Sequence, residues 1–290
     1  MTAPNSSPSR FSPIWLVLIG ILSVQFGASV AKTLFDEVSP TTIVWLRLAT
    51  SALVLLVVAR PRLRGRSRAD WWVVLTFGLV LGLMNWAFYQ SMARIPIGLA
   101  VTIEFVGPLS LAVLGSRRLR DLLWVGLAGT GVLLLGLQPG DLNVAGVAFA
   151  LLAGAMWAAY ILLSAQTGRR WQGVDGLAVA SLVAVLVLSP ITLGWHAGQL
   201  VDTRILVLGA LVGLLSSAIP YTVELMALRS LRPAVFSILM SLEPAAAALA
   251  AFLVLGELLE PLQLLAMACV VAASVGATRS RATIADPVPD

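Results

Sequence analysis

Ten apolar runs, each about as long as a bilayer is thick, follow one another with little hydrophilic sequence between them: 13–33, 41–59, 71–92, 97–115, 121–137, 143–165, 174–194, 204–228, 233–254 and 261–278. A hydrocarbon core about 30 Å thick needs roughly 20 apolar residues per helix. The succession therefore predicts an all-α integral membrane protein of ten transmembrane helices embedded in a lipid bilayer, with loops too short to hold a soluble domain. Composition agrees: 11% of residues are charged, against about 25% in soluble domains. The formal net charge of +5 would suggest nucleic acid in a soluble protein, but 15 of the 19 Lys and Arg lie in alternate short loops or the termini. With no basic face interleaved with aromatics, no nucleic-acid partner is expected.

That charge pattern sets an orientation. Arg10, the cluster from Arg60 to Arg68, then Arg117, Arg118 and Arg120, Arg169 and Arg170, Arg229 and Arg232, and finally Arg279 and Arg281 fall on one side of a ten-span arrangement. Cytoplasmic loops carry the excess of Lys and Arg, so that side and both termini are expected to be cytoplasmic. Arg10 followed by Ile14 to Ala31 imitates a signal peptide, but the run is long, contains Gln25 and is soon followed by another span; an uncleaved first helix is expected. The tails 1–12 and 279–290, rich in Pro, Ser or Asp, are expected to be disordered.

Two of the runs are interrupted. Thr102-Ile103-Glu104-Phe105-Val106-Gly107-Pro108 sets a carboxylate beside a Gly-Pro break, and Leu239-Met240-Ser241-Leu242-Glu243-Pro244 repeats the theme in the second half. A charge at the centre of a membrane helix costs at least about 2.5 kcal/mol on insertion scales, so such residues face a protein interior or a watery cavity. Paired interrupted segments are the best sequence pointer to the binding site of a secondary transporter. Superposing the halves at an offset of 131 residues brings Gly78 and Gly82 onto Gly209 and Gly213, and Phe26 onto Trp157. The chain then divides into a first five-helix repeat, 13–137, and a second, 138–278. Five being odd, the second enters the membrane from the opposite side and the repeat is inverted, which suits alternating access about a midplane site.

Enzyme chemistry finds no footing. Cys269 is the single cysteine and His196 the single histidine, which leaves neither a disulfide, a metal cluster nor a nucleophile with a base. Gly126-x-x-Gly129-x-Gly131 has no strand before it and reads as helix packing, not as a nucleotide loop. No cofactor, no metal and no enzymatic activity are expected.

The candidate substrate-binding or coupling residues are the polar ones inside the runs. Glu104 and Glu243 should lie near the midplane; a structural cap around Pro108 and Pro244 is the plainer alternative. Arg47 sits deep in its run, although a long side chain can snorkel outward. Lys32 ends the first run and could anchor at the interface, while Glu224 could simply pair with Arg229 or Arg232. Gln25, Ser29, Asn85, Tyr89, Trp157 and Tyr160 could line a small-solute cavity, with interhelical hydrogen bonding as the alternative; Gln90 and Tyr221 are weaker candidates of the same kind. Trp71 and Trp72 look like interfacial anchors. Lys32 and Arg47 supply two positive charges against three negative ones, Glu104, Glu224 and Glu243. Burial favours the protonated form of a carboxyl group, so one acid, with Glu243 as first choice, is expected to carry protons.

Ser23-Val24-Gln25-Phe26-Gly27-Ala28-Ser29, Met84-Asn85-Trp86-Ala87-Phe88-Tyr89, Glu104-Phe105-Val106-Gly107-Pro108, Gly154-Ala155-Met156-Trp157-Ala158-Ala159-Tyr160 and Leu239 to Pro244 resemble the threonine/homoserine exporter branch of the drug/metabolite transporter superfamily, with its paired EamA domains. The resemblance covers nearly the whole chain. It implies ten helices in two inverted halves, export of small neutral amino acids across the bacterial inner membrane, and exchange against protons, with export of other metabolites or drugs as the alternative. Arg47 and Glu224 also resemble family positions, whereas Phe26 is a departure that could reshape the cavity face of the first helix. The expected partners are a small amino acid, protons and the bilayer, and the expected oligomeric state is a monomer.

Overall fold

The computed structural model describes residues 13–114, 119–135, 143–220 and 233–285, together with Val223 and Leu231. Every regular element among them is helical. In chain order these are α1 (Pro13–Lys32), α2 (Pro40–Ala59), α3 (Arg68–Met92), α4 (Ile97–Glu104), α5 (Val106–Leu114), α6 (Leu119–Leu135), α7 (Val144–Arg170), α8 (Asp175–Trp195), α9 (Thr203–Gly213), α10 (Pro233–Met240), α11 (Glu243–Leu255) and α12 (Pro261–Ala285). A 3-10 turn, Ala197–Val201, precedes α9, and a π-helical stretch, Leu214–Ala218, continues it. Among the described residues seven helices are long and apolar enough to cross a membrane, and Ile97–Leu111, Leu122–Leu134 and Thr203–Ser217 are shorter apolar ones.

Local chemistry accounts for several helix ends. Ser39 caps α2 by accepting from the Thr41 N–H, with Pro40 at a position that needs no donor. Ser67 and Asp70 satisfy each other's backbone donors at the start of α3, a reciprocal capping box. Gly256, at φ +70, closes α11 in the left-handed conformation that glycine adopts without strain.

The outside of the bundle is rich in large apolar side chains. Leu53, Val58, Leu133 and Trp195 are more than half exposed, an exterior that suits acyl chains and would be a liability in water. Trp72 is also exposed, as an interfacial anchor would be, but Trp71 turns inward and meets Trp171 edge-on at 5.8 Å.

Small residues let the helices approach. On α3, Gly78 and Gly82 lie against Ala180, Val183 and Ala184 of α8; on α9, Gly209 and Gly213 lie against Leu46 and Thr50 of α2. Backbones brought this close gain dispersion contacts that lipid cannot supply. Of the three α6 glycines only Gly131 is used in this way, against Ala266 and Cys269 of α12, while Gly126 and Gly129 have open space beside them.

Two departures from the sequence reading concern helix ends. The breaks fall at Phe105 and at Ser241-Leu242, upstream of Gly107, Pro108 and Pro244, because each proline occupies the first turn of the following helix, where its missing N–H costs nothing. Residues 279–285, expected in a disordered tail, continue α12 to Ala285; Arg and Ala are good helix formers.

Candidate functional site

A cavity of about 250 Å³ opens where α1, α2, α3 and α7 meet the π-helical stretch and the two interrupted helices. Gln25, Arg47, Asn85 and Glu104 reach it from the first half of the chain, and Trp157, Tyr160 and Glu243 from the second. All seven were candidates from the sequence.

Backbone packing fixes Glu104. It is the last residue of α4, and its carbonyl lacks the usual helical donor because Pro108, four residues on, has no N–H. That carbonyl lies against Gly154 of α7, so closely that a Cβ on Gly154 would collide with it; a Cβ on Gly107 would likewise strike the Gly154 backbone. Glu243 occupies the opposite kind of helix position, the first residue of α11, where free backbone N–H groups favour a negative charge.

Arg47 is held from two sides. Its guanidinium lies 5.7 Å from the centre of the Tyr89 ring, and its Nη2 donates to the Ser216 carbonyl at 3.4 Å. The acceptor is available because Pro220, four residues on, cannot donate to it. The π-helical register does the same one residue earlier: the Ile219 N–H bonds Leu214 instead of Leu215, and the Leu215 carbonyl accepts from Ser23 Oγ at 2.6 Å. Among the described residues neither Arg47 nor Glu104 forms a salt bridge, with the other or elsewhere.

The aromatic wall is set by rings behind it. Trp157 stands edge-on to Phe105 at 5.2 Å and Tyr160 packs on Phe77 at 5.2 Å. Asn85 uses its Nδ2 within α3, donating to the Leu81 carbonyl at 2.9 Å.

Four other candidates, Tyr89, Ser29, Lys32 and Gln90, are not part of the cavity wall, and Glu224 and Tyr221 fall outside the described residues. Tyr89 is fully buried behind it, where it supports Arg47. Ser29 donates to the Gln25 carbonyl at 2.9 Å within α1. Lys32 is farther still, at the end of the bundle that the charge pattern assigns to the outside. Its Nζ pairs with Glu257 Oε1 at 2.5 Å and donates to the Ile95 carbonyl at 2.9 Å, while Glu257 Oε2 accepts from the Ile97 N–H at 3.0 Å. One ion pair thus joins α1, the turn before α4 and the segment after α11. It lies seven residues beyond Gln25 on α1, about 10 Å at 1.5 Å per residue.

Sequence reasoning missed Ser216. It lines the cavity from the π-helical stretch, a feature that recurs at functional sites; the signal was Pro220 placed four residues after it inside an apolar run. No group of three or more His, Cys, Asp or Glu that could hold a metal ion occurs among the described residues.

Known proteins share this arrangement of helices. A solved crystal structure of a protein only 17% identical superposes with a TM-score of 0.62, covering 94% of this chain and 99% of that one. At that identity the likeness concerns the fold. The sequence is 40% identical over 277 residues to the threonine/homoserine exporter RhtA of Salmonella typhimurium (strain SL1344), covering 93% of this chain and 94% of the relative. It is also 40% identical over 276 residues to the protein of the same name from Escherichia coli (strain K12), covering 93% of each. The EamA-like transporter family matches twice, over residues 11–137 and 144–279. Both halves being matched and the relatives aligned along nearly the whole length, this multi-pass helical membrane protein belongs to the EamA-like transporter family.

Proposed function

We propose that the protein exports a small neutral amino acid of the threonine or homoserine kind across the bacterial inner membrane. One observation carries the reading: Arg47 and Glu104 line the same cavity with opposite charges and no salt bridge between them. A zwitterion complements that pair, its carboxylate on the guanidinium and its ammonium on the carboxylate, through charge-assisted hydrogen bonds. A volume of about 250 Å³ falls below the roughly 300–1,000 Å³ of drug-sized pockets, which favours a small cargo. The exporter names of the relatives point the same way.

The transport mode belongs to the same proposal. Ten spans form two inverted repeats, 13–137 and 138–278, with both termini cytoplasmic. Supporting this, the glycine face of α3 packs on α8 of the other half, as that of α9 packs on α2, and an interrupted helix from each half brings a carboxylate to the cavity. Such a repeat provides two packings related by exchanging the halves' roles, hence alternating access. The Lys32–Glu257 pair closes the outward end in the conformation described. Glu104 receives the ammonium, and Glu243 takes up the proton that returns in exchange.

Counterflow in proteoliposomes tests the whole. Labelled threonine or homoserine should exchange across the membrane, and expression should raise cellular tolerance to excess amino acid. Exchange of cationic drugs but of no neutral amino acid would defeat the reading.

A further inference from the structure

The cavity wall carries two oxygens whose hydrogen-bonding capacity is unused. Gln25 is 3% exposed and Ser216 5% exposed, both line the cavity, and among the described residues neither Gln25 Oε1 nor Ser216 Oγ has a hydrogen-bond partner. A buried polar atom left unsatisfied costs about 1–3 kcal/mol, so a glutamine serving packing alone would be a poor choice at this position. The backbone seats Ser216 against α1, the helix that carries Gln25. Ser23 Oγ donates to the Leu215 carbonyl at 2.6 Å, and Gly27 has no side chain where Ser216 comes against α1. The π-helical register of Leu214–Ala218 is what turns Ser216 to that place.

Arg47 fixes the distance to a ligand. Its guanidinium reaches the Ser216 carbonyl at 3.4 Å, so a carboxylate seated on Arg47 is held beside Ser216, in the cavity that Gln25 also lines. A group projecting from that carboxylate's α-carbon comes toward the wall that holds the two unpartnered oxygens. An aliphatic side chain would leave them unpaired, whereas a hydroxyl donates its one proton to Gln25 Oε1 and accepts from the Ser216 hydroxyl. The amide torsion of glutamine is broad and soft, so Oε1 turns from the wall into the lumen at little cost.

Resting on the proposed export of a small neutral amino acid, we infer that Gln25 and Ser216 select the hydroxyl group of the cargo. They are specificity residues that distinguish hydroxylated amino acids from their aliphatic isosteres. A hydrophobic pocket separates such isosteres poorly, while a site built to bond a hydroxyl rejects the analogue lacking it strongly, because its own polar groups are then stranded.

Threonine and valine are near-isosteric and make the test. In proteoliposomes exchanging labelled threonine, unlabelled threonine should compete at least roughly tenfold better than valine, the factor expected from about 1.4 kcal/mol. Gln25→Leu should bring the ratio to within roughly threefold while preserving or improving competition by valine, which reports that the variant is folded. Ser216→Ala should lower the ratio less, and Gln25→Glu, which keeps an acceptor oxygen, should retain it. Should Gln25→Leu exchange nothing at all, Gln25→Met and Ser216→Ala decide by the same ratio. Wild-type protein that treats threonine and valine alike, or variants that keep the wild-type ratio, would overturn the inference and leave amino-acid export standing. Wild-type protein that exchanges no neutral amino acid would overturn both.

Discussion

Lys32, the last residue of α1, and Glu257, just beyond the end of α11, meet at 2.5 Å and bridge the two matched parts of the chain. Each also holds the backbone of the turn entering α4, through Ile95 and Ile97. Under alternating access this cluster has to come apart when the cavity faces outward. Lys32→Ala should therefore shift the population toward outward-facing forms. With a cysteine at Ala28, which lines the cavity, in a Cys269→Ser background, an impermeant thiol reagent added outside should label roughly tenfold faster, the factor given by about 1.4 kcal/mol. The exchanged pair Lys32→Glu with Glu257→Lys should return the rate toward the parent value. Labelling that ignores all three changes would remove the pair from the gating scheme.

The zwitterion assignment predicts large, separable losses of affinity. Charge-assisted hydrogen bonds contribute about 1.5–3 kcal/mol each, so Arg47→Gln and Glu104→Gln should each raise the half-saturating threonine concentration roughly tenfold to a hundredfold. Counterflow titrations read this directly. An amine lacking the carboxylate should lose nothing from Arg47→Gln, and an unaltered threonine titration in both variants would exclude the two residues as its anchors.

At the Gly154 position the prediction concerns packing. A Cβ there collides with the Glu104 carbonyl, and overpacking a tight contact costs about 1–3 kcal/mol. Gly154→Val should lower the melting temperature of the purified protein and weaken threonine exchange together. Gly129→Val, facing open space on α6, is the control and should change neither.

The proposed proton coupling gives the two acids different roles. Glu243→Gln presents a neutral side chain in the place of the protonated one, so it should retain threonine counterflow but lose accumulation driven by a pH gradient. Undiminished gradient-driven accumulation would rule Glu243 out as the carrier.

Much of this was legible because hydropathy and charge are local properties. The apolar runs, the interrupted segments and the charges of Glu104, Glu243 and Arg47 inside them are visible without any knowledge of neighbours. Which face of a helix turns inward is decided by packing across the bundle. So Tyr89, polar and mid-helix like Tyr160, proved to support Arg47 from behind, while Tyr160 lines the cavity. Lys32 showed no partner in sequence because Glu257 lies in the other half of the chain. Leu214-Leu215-Ser216-Ser217-Ala218 reads as an ordinary apolar helix; its π register follows from contacts with α1 and from Pro220, neither of which alters the hydropathy.

Because the Glu104 backbone rests on glycine backbone in α7, the position of its charge is nearly independent of which side chains surround it. Gln25, Met84, Phe88 and Trp157 can change in size and polarity around a fixed anchor. Under the proposed function a scaffold of this kind is readily retuned: substitutions in the wall would alter which amino acid is accepted, while the handling of the ammonium group common to all of them would stay untouched.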